Sequence, residues 1–179
     1  MSTSDVGETT AVVLDIDGVL ADVRHRLHHL DRKPKDWVGF FGHMKDDGLL
    51  AEGAALAQQF FGEGHRIFYV TGRPTEYSEV TKAWLDFHRL PPGELIMRRR
   101  GDYRPAAKVK TELVNDLAKT YTIVAIVDDD PAVVAAMRSH ALPVRQATWH
   151  ELPDHGNDPA ADASAHQLLF DAQEEDGAT

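Results

Sequence analysis

Apolar residues along this chain gather in short, nearly continuous runs separated by longer stretches of helical periodicity. AVVLDI (11–16), RIFYV (66–70), ELIMR (94–98), TIVAIV (122–127) and LPVRQAT (142–148) are the runs. Their lack of apolar–polar alternation predicts strands buried on both faces, as in a parallel sheet. Between them, residues 50–62 place Leu50, Ala54, Ala57 and Phe61 on one helical face, with Gly62 or Gly64 as the stop. Residues 75–89 turn Val80, Trp84 and Phe87 inward, and residues 105–119 and 131–140 give two more helices, the last opening on Pro131. Strand–helix alternation of this kind predicts an α/β fold, a mostly parallel sheet with helices on both faces.

Two segments break the rhythm. Residues 22–49 are basic, aromatic and His-rich, and are expected to form a small cap inserted after the first strand. Residues 151–179 read as a loose tail, in which HQLLF (166–170) could dock as one helical turn. With residues 1–10 as a flexible start, the expected division is a single folded domain over 11–150 and an acidic tail.

Composition narrows the chemistry. The chain has 179 residues and no cysteine, which excludes disulfides, thiolate metal sites and a cysteine nucleophile. There is no basic, apolar N-terminal leader and no 18-residue apolar stretch, so a cytoplasmic protein without membrane contact is expected. The net charge of −10 is unevenly spread. Residues 151–179 hold eight acidic side chains and no Lys or Arg, which leaves −2 for the rest. Residues 24–45 and 97–110 are basic. The whole-chain charge therefore disfavours tight binding along a duplex, yet does not exclude an oligonucleotide end.

Ligands of a parallel α/β sheet bind beyond the carboxyl ends of its strands. Those ends carry Asp15-Ile16-Asp17-Gly18, Thr71-Gly72-Arg73, Asp128-Asp129-Asp130 and three arginines at 98–100, with Lys110 in the following helix. Acidic groups gathered at buried strand ends repel one another unless a cation holds them. Oxygen donors of this kind suit Mg²⁺.

DIDGVLAD (15–22), VTGRP (70–74), Lys110 and IVDDD (126–130) resemble, in order and spacing, the four motifs of haloacid dehalogenase (HAD)-like phosphohydrolases. The run MRRRGDYRPAAKVKTEL (97–113) with VDDDPAVVAAMR (127–138) is similar to the phosphatase half of bacteriophage polynucleotide kinase-phosphatase and its stand-alone bacterial relatives. The resemblance implies a Rossmann-like HAD fold and a Mg²⁺-dependent phosphomonoesterase. Asp15 would be the nucleophile that forms an aspartyl-phosphate, and Asp17 the general acid and then base. Asp15, the Asp17 carbonyl and Asp128 would bind the metal, with Asp129 acting through water. Thr71 and Lys110 would steady the phosphoryl oxygens, while Gly72, Arg73, Arg24 and Arg98 would meet substrate. Arg26 is a candidate contact beside Arg24. Trp37, Phe40 and Phe41 could stack on a base or pack the cap. A metal cluster at His25, His28 and His29 is the lesser reading of those residues.

The implied partner is a phosphorylated small molecule, a nucleotide or an oligonucleotide end, and nothing calls for an obligate protein partner. Phosphatase action on a sugar phosphate and a non-catalytic binding role are the alternatives. Two departures stand out. Relatives commonly have an acidic residue four before the motif lysine, where this chain has Ala106, and often Arg after the paired acids, where it has Asp130.

Overall fold

A computed structural model describes residues 9–31 and 33–149. The expectations for residues 1–8 and for the acidic tail, including 166–170, lie outside the described residues. Strand β1 (Thr10–Leu14) leads into a tight turn, the short strand β2 (Ala21–Asp22) and a 3-10 segment (Arg24–His29). Helix α1 (Trp37–Gly42), a 3-10 turn (Met44–Asp46) and β3 (Gly48–Leu49) follow. Then come α2 (Ala51–Gly62), β4 (Arg66–Pro74), α3 (Ser78–Phe87), β5 (Gly93–Arg98), α4 (Ala106–Leu117), β6 (Thr122–Asp128), α5 (Pro131–Ser139) and β7 (Val144–Gln146).

The main sheet is five-stranded, parallel throughout, in the order β5-β4-β1-β6-β7. This is the α/β architecture the alternation predicts. β1 lies centrally, and its Ala11, Val12, Val13 and Leu14 are all buried, as a strand covered on both faces requires. Val12 and Leu14 pack on one side with Ile67, Tyr69, Trp84 and Leu85. Val13 faces the other, with Phe68, Val70, Val114 and Met137. Among the described residues no helix is long and apolar enough to cross a membrane.

The irregular 21–49 segment closes on itself through an antiparallel β2–β3 pair, with Ala21 opposite Leu49. Gly53 in α2 lies against the Val19 carbonyl, where a Cβ would collide with it. This close approach sets the rotation of α2. Phe60 therefore packs against the core and Phe61, expected inward, is 46% exposed. In α3 the buried face is Thr81, Trp84 and Leu85, so Phe87 is 79% exposed rather than inward. Its position, three residues beyond Trp84, is past the end of the face that meets the sheet.

Candidate active site

Asp15 and Asp128 sit at adjacent strand ends because β1 and β6 run parallel with Leu14 opposite Val127. The Asp15 amide donates to the Val127 carbonyl at 2.9 Å, which fixes the two ends together. Asp15 Oδ1 accepts from the Ile16 amide at 2.8 Å. Lys110, on the second turn of α4, donates to Asp15 Oδ2 at 2.6 Å and to Asp128 Oδ2 at 2.8 Å. Lys110 is thus oriented by two carboxylates from the sheet, without help from position 106.

Asp129 completes the cluster. Carboxylate oxygens of Asp15, Asp128 and Asp129 lie within 4.8 Å of one another, and all three residues are buried. Gly18 makes room: at φ +73° it adopts a conformation side chains disfavour, and a Cβ there would overlap the Asp129 carboxylate. Asp130 turns away and caps α5, accepting from the Ala132 and Val133 amides at 2.8 and 3.4 Å. The third acid of the DDD run is therefore a helix cap.

Three buried carboxylates against one ammonium leave a charge of −2 in a site shut off from water. The consequence is a raised proton affinity. Burial pushes Asp15 up to about 8; Asp128 and Asp17 add to the effect and Lys110 opposes it. Burial raises Asp128 as well, against Lys110. Asp129 rises well above the ordinary carboxylate range through burial and then its neighbours Asp15 and Asp128. Lys110 is raised despite burial because Asp128 and Asp15 both favour its charge. A divalent cation would restore neutrality, and an all-oxygen donor set fits a hard one. These three residues could hold a metal.

Asp17 belongs to a second, separately balanced cluster. Arg73 Nη2 donates to its Oδ1 at 2.6 Å and Arg26 Nη2 to the same atom at 2.7 Å. Behind them, Asp47 accepts from Arg26 Nε at 2.7 Å and from Arg73 Nη2 at 2.8 Å. Two arginines and two aspartates form a neutral square, with Arg26, Arg73 and Asp47 side chains wholly buried. Burial alone would raise Asp17, but Arg73 and Arg26 outweigh it and hold the carboxyl well below its usual range. Asp47 is anchored further by Trp84 Nε1, which donates to its carbonyl at 2.9 Å, and by His25 Nε2 at 2.9 Å. Phe40 lies under the Arg26 guanidinium, 4.2 Å from its centroid.

Thr71 is buried, and its hydroxyl accepts from the Arg73 amide at 3.2 Å. Between Thr71 and Pro74 the β4–β5 register shifts, and that irregularity carries Arg73 under the 21–49 segment. Arg24 and Arg98 lie apart from both clusters. Arg24 is exposed and pairs with Asp22. Arg98 is buried; it donates to the Gly72 carbonyl at 3.2 Å and to those of Asp102 and Arg104 at 2.8 and 2.6 Å, tying the loop before α4 to β4. His25 is turned to Asp47 and His29 to Asp36, so neither joins the three-carboxylate group. Arg26 had been visible only as Arg24's equal, and Asp47 carried no signal at all. In a 3-10 segment, two residues apart is enough to separate an exposed arginine from a buried one.

Known proteins resemble this chain in sequence and in fold. The family model for the polynucleotide kinase PNKP phosphatase domain matches residues 9–151. A Bacillus cereus protein provisionally named a nucleotidase is 26% identical over 155 residues, covering 69% of this chain and 78% of that one. A chain in the solved Pnkp1/Rnl/Hen1 RNA repair complex is 25% identical with a TM-score of 0.68, over 85% of this chain and 48% of that chain. The present chain thus spans about half the length of that repair-complex chain. The class C acid phosphatase from Bacillus anthracis with tungstate bound shares the fold, with a TM-score of 0.58 at 14% identity over 90% of this chain and 79% of that one. The chain is a phosphoric monoester hydrolase of the HAD-like superfamily, and it belongs to the family of polynucleotide kinase PNKP phosphatase domains.

Proposed function

We propose that the chain is a Mg²⁺-dependent phosphomonoesterase working through an aspartyl-phosphate, on a nucleotide or a phosphorylated nucleic-acid end. The observation that carries this reading is the pairing of two charge clusters: one short of positive charge around Asp15, and one balanced around Asp17. The family match and the provisionally named nucleotidase support the substrate class. Asp15, Asp128 and the Asp17 carbonyl would hold Mg²⁺, with Asp129, expected to act through water, near enough to the other two carboxylates to bind directly, and the ion would mask the repulsion between a carboxylate and a phosphate dianion.

The Asp15 carboxylate attacks phosphorus. A bond forms between Asp15 oxygen and phosphorus as the ester P–O bond breaks, and the leaving oxygen takes a proton from Asp17. Water then attacks the aspartyl-phosphate and gives its proton back to Asp17. Phosphate is released and Asp15 restored. Lys110 and the Thr71 hydroxyl steady the phosphoryl oxygens. Arg73 has a dual duty. It favours the base form of Asp17 and ties that carboxylate to Asp47 through the buried square, while a phosphate dianion docked beside Asp17 raises its proton affinity for the acid half. Arg24 lies outside this scheme; Arg98 and Gly72 shape the loop beside it.

The test is phosphate release with Mg²⁺ from nucleoside 3′- and 5′-phosphates, oligonucleotide 3′-phosphates and sugar phosphates, with Asp15→Asn as the blank. Turnover of nucleotides or oligonucleotide ends is expected. Turnover of sugar phosphates alone overturns the substrate class.

The metal assignment predicts an inverted pH profile of stability. The folded protein without metal keeps protons on the carboxylate cluster that the unfolded chain gives up above roughly pH 4. Stability is therefore lost as pH rises from there toward the folded value, about 8 for Asp15. Melting of the metal-stripped protein should fall by roughly several degrees between pH 5 and 8. Millimolar Mg²⁺ should reverse the fall at pH 8, and Asp129→Asn should flatten it. A melting point independent of both Mg²⁺ and pH across this range contradicts the assignment.

A further inference from the structure

The aromatic residues of α1 take little part in the chemistry above. Phe40 alone points inward, beneath Arg26. Trp37 and Phe41 stand a turn apart with ring centroids 5.7 Å apart and planes inclined by 22°. Phe41 stacks in turn on Tyr77, at 4.9 Å and 30°. The three rings form a ladder along one wall of a groove of about 310 Å³. The loop that Arg98 holds in place forms the other wall, with Arg99, Arg100 and Tyr103. Gly72 also lines the groove, between Thr71 and Arg73, so it adjoins the strand end bearing the reactive groups.

Packing of the 21–49 segment onto the sheet accounts for the ladder only in part. Tyr103 remains 56% exposed across from it. Arg99 is exposed and has no ion-pair partner among the described residues. The carboxylates that line the groove are already engaged, Glu76 by Arg100 and Asp102 by Arg104. What the groove offers a ligand is therefore the half-buried rings at the two ends of the ladder, Trp37 and Tyr77, the exposed ring of Tyr103 and a spare guanidinium. Sugar hydroxyls find few unengaged polar partners there. A flat heterocycle linked to phosphates matches both features, since base–aromatic stacking and backbone phosphate contacts are how single strands are held.

We propose that this groove seats the nucleoside bearing the scissile phosphate. Its base stacks on the Trp37–Phe41–Tyr77 ladder, and Arg99 meets the next phosphate along the strand. The assignment rests on the phosphatase reading of the Asp15 site. The volume is near the lower limit of about 300 Å³ for ligand pockets. It suits one unpaired nucleoside and not a duplex end.

Two ratios test it. The first is kcat/KM for a single-stranded oligonucleotide 3′-phosphate over the same strand with an abasic terminal residue. The wild type should prefer the base, and Trp37→Leu should cut that preference roughly ten-fold, the effect of losing one stacked base. The second is kcat/KM for the oligonucleotide over a nucleoside 3′-monophosphate, which lacks an internal phosphate. Arg99→Gln, on the surface and safe for folding, should lower it by a factor of about 3 to 10. The groove assignment is overturned if the wild type ignores the terminal base, or if both ratios survive the substitutions. If base-free esters such as glycerol phosphate outrun every nucleotide, the substrate class itself has failed. Loss of the ratios alone, with nucleotides still preferred over glycerol phosphate, supports the groove.

Discussion

Asp15→Asn should bring phosphate release below about 1% of the wild-type rate. An amide cannot attack phosphorus, so no covalent phosphoenzyme forms and neither half of the reaction can proceed. The substitution is small, and its one amide oxygen can still accept from the Ile16 amide, while the bond from Lys110 to the other oxygen is lost and Lys110 keeps Asp128. It also removes one of the three mutually repelling charges around Lys110. The variant should therefore fold, and melt at least as high as the wild type when stripped of metal. Steady-state phosphate release and acid-quenched trapping of phosphoprotein check the two consequences. Retention of more than a few per cent of kcat removes Asp15 from its role.

The largest stability effect should come from a residue with no part in the bond-breaking. Asp47→Ala leaves Arg26 and Arg73, both wholly buried, sharing the single carboxylate of Asp17. Removing one partner from a buried ion cluster strands an uncompensated charge, a loss of about 3–5 kcal/mol. For a domain of this size that is roughly 10 °C in melting temperature. Adding Arg26→Met to Asp47→Ala should recover part of the loss, because the surviving Arg73–Asp17 pair is neutral. Thermal melts of the two variants decide the matter: a double variant no more stable than Asp47→Ala means the cluster acts by packing rather than charge.

The sequence made the strands and the reactive acids plain for the same reason. Parallel strands buried on both faces must be continuous apolar runs, and whatever polar residue ends such a run sits at the ligand-binding end of the sheet. Asp15, Thr71 and Asp128 are found by that rule alone. β4 runs on to Pro74, beyond the apolar stretch, because its last residues still meet β5 across the register shift. Arg26 and Asp47 obey no such rule. They lie 21 residues apart in a segment of short turns, where no periodicity says which side chain faces inward. The helix faces that went astray, at Phe61 and Phe87, failed on packing geometry: Gly53 against Val19 sets the rotation of α2, and no window of sequence contains that contact.

The four-charge square joins two parts of the chain. Arg26 and Asp47 come from the segment between β1 and α2, while Asp17 and Arg73 come from the sheet's own strand ends. Lifting that segment would pull the wholly buried Arg26, Arg73 and Asp47 apart, so it is fastened where a lid would be hinged. The groove beside α1, which reaches Gly72, is on the proposed reading the way in. A groove of about 310 Å³ has room for a terminal nucleoside rather than for a strand running through it. On the proposed reading, the discrimination between a loose end and an unbroken backbone is built into the doorway, before any base is read.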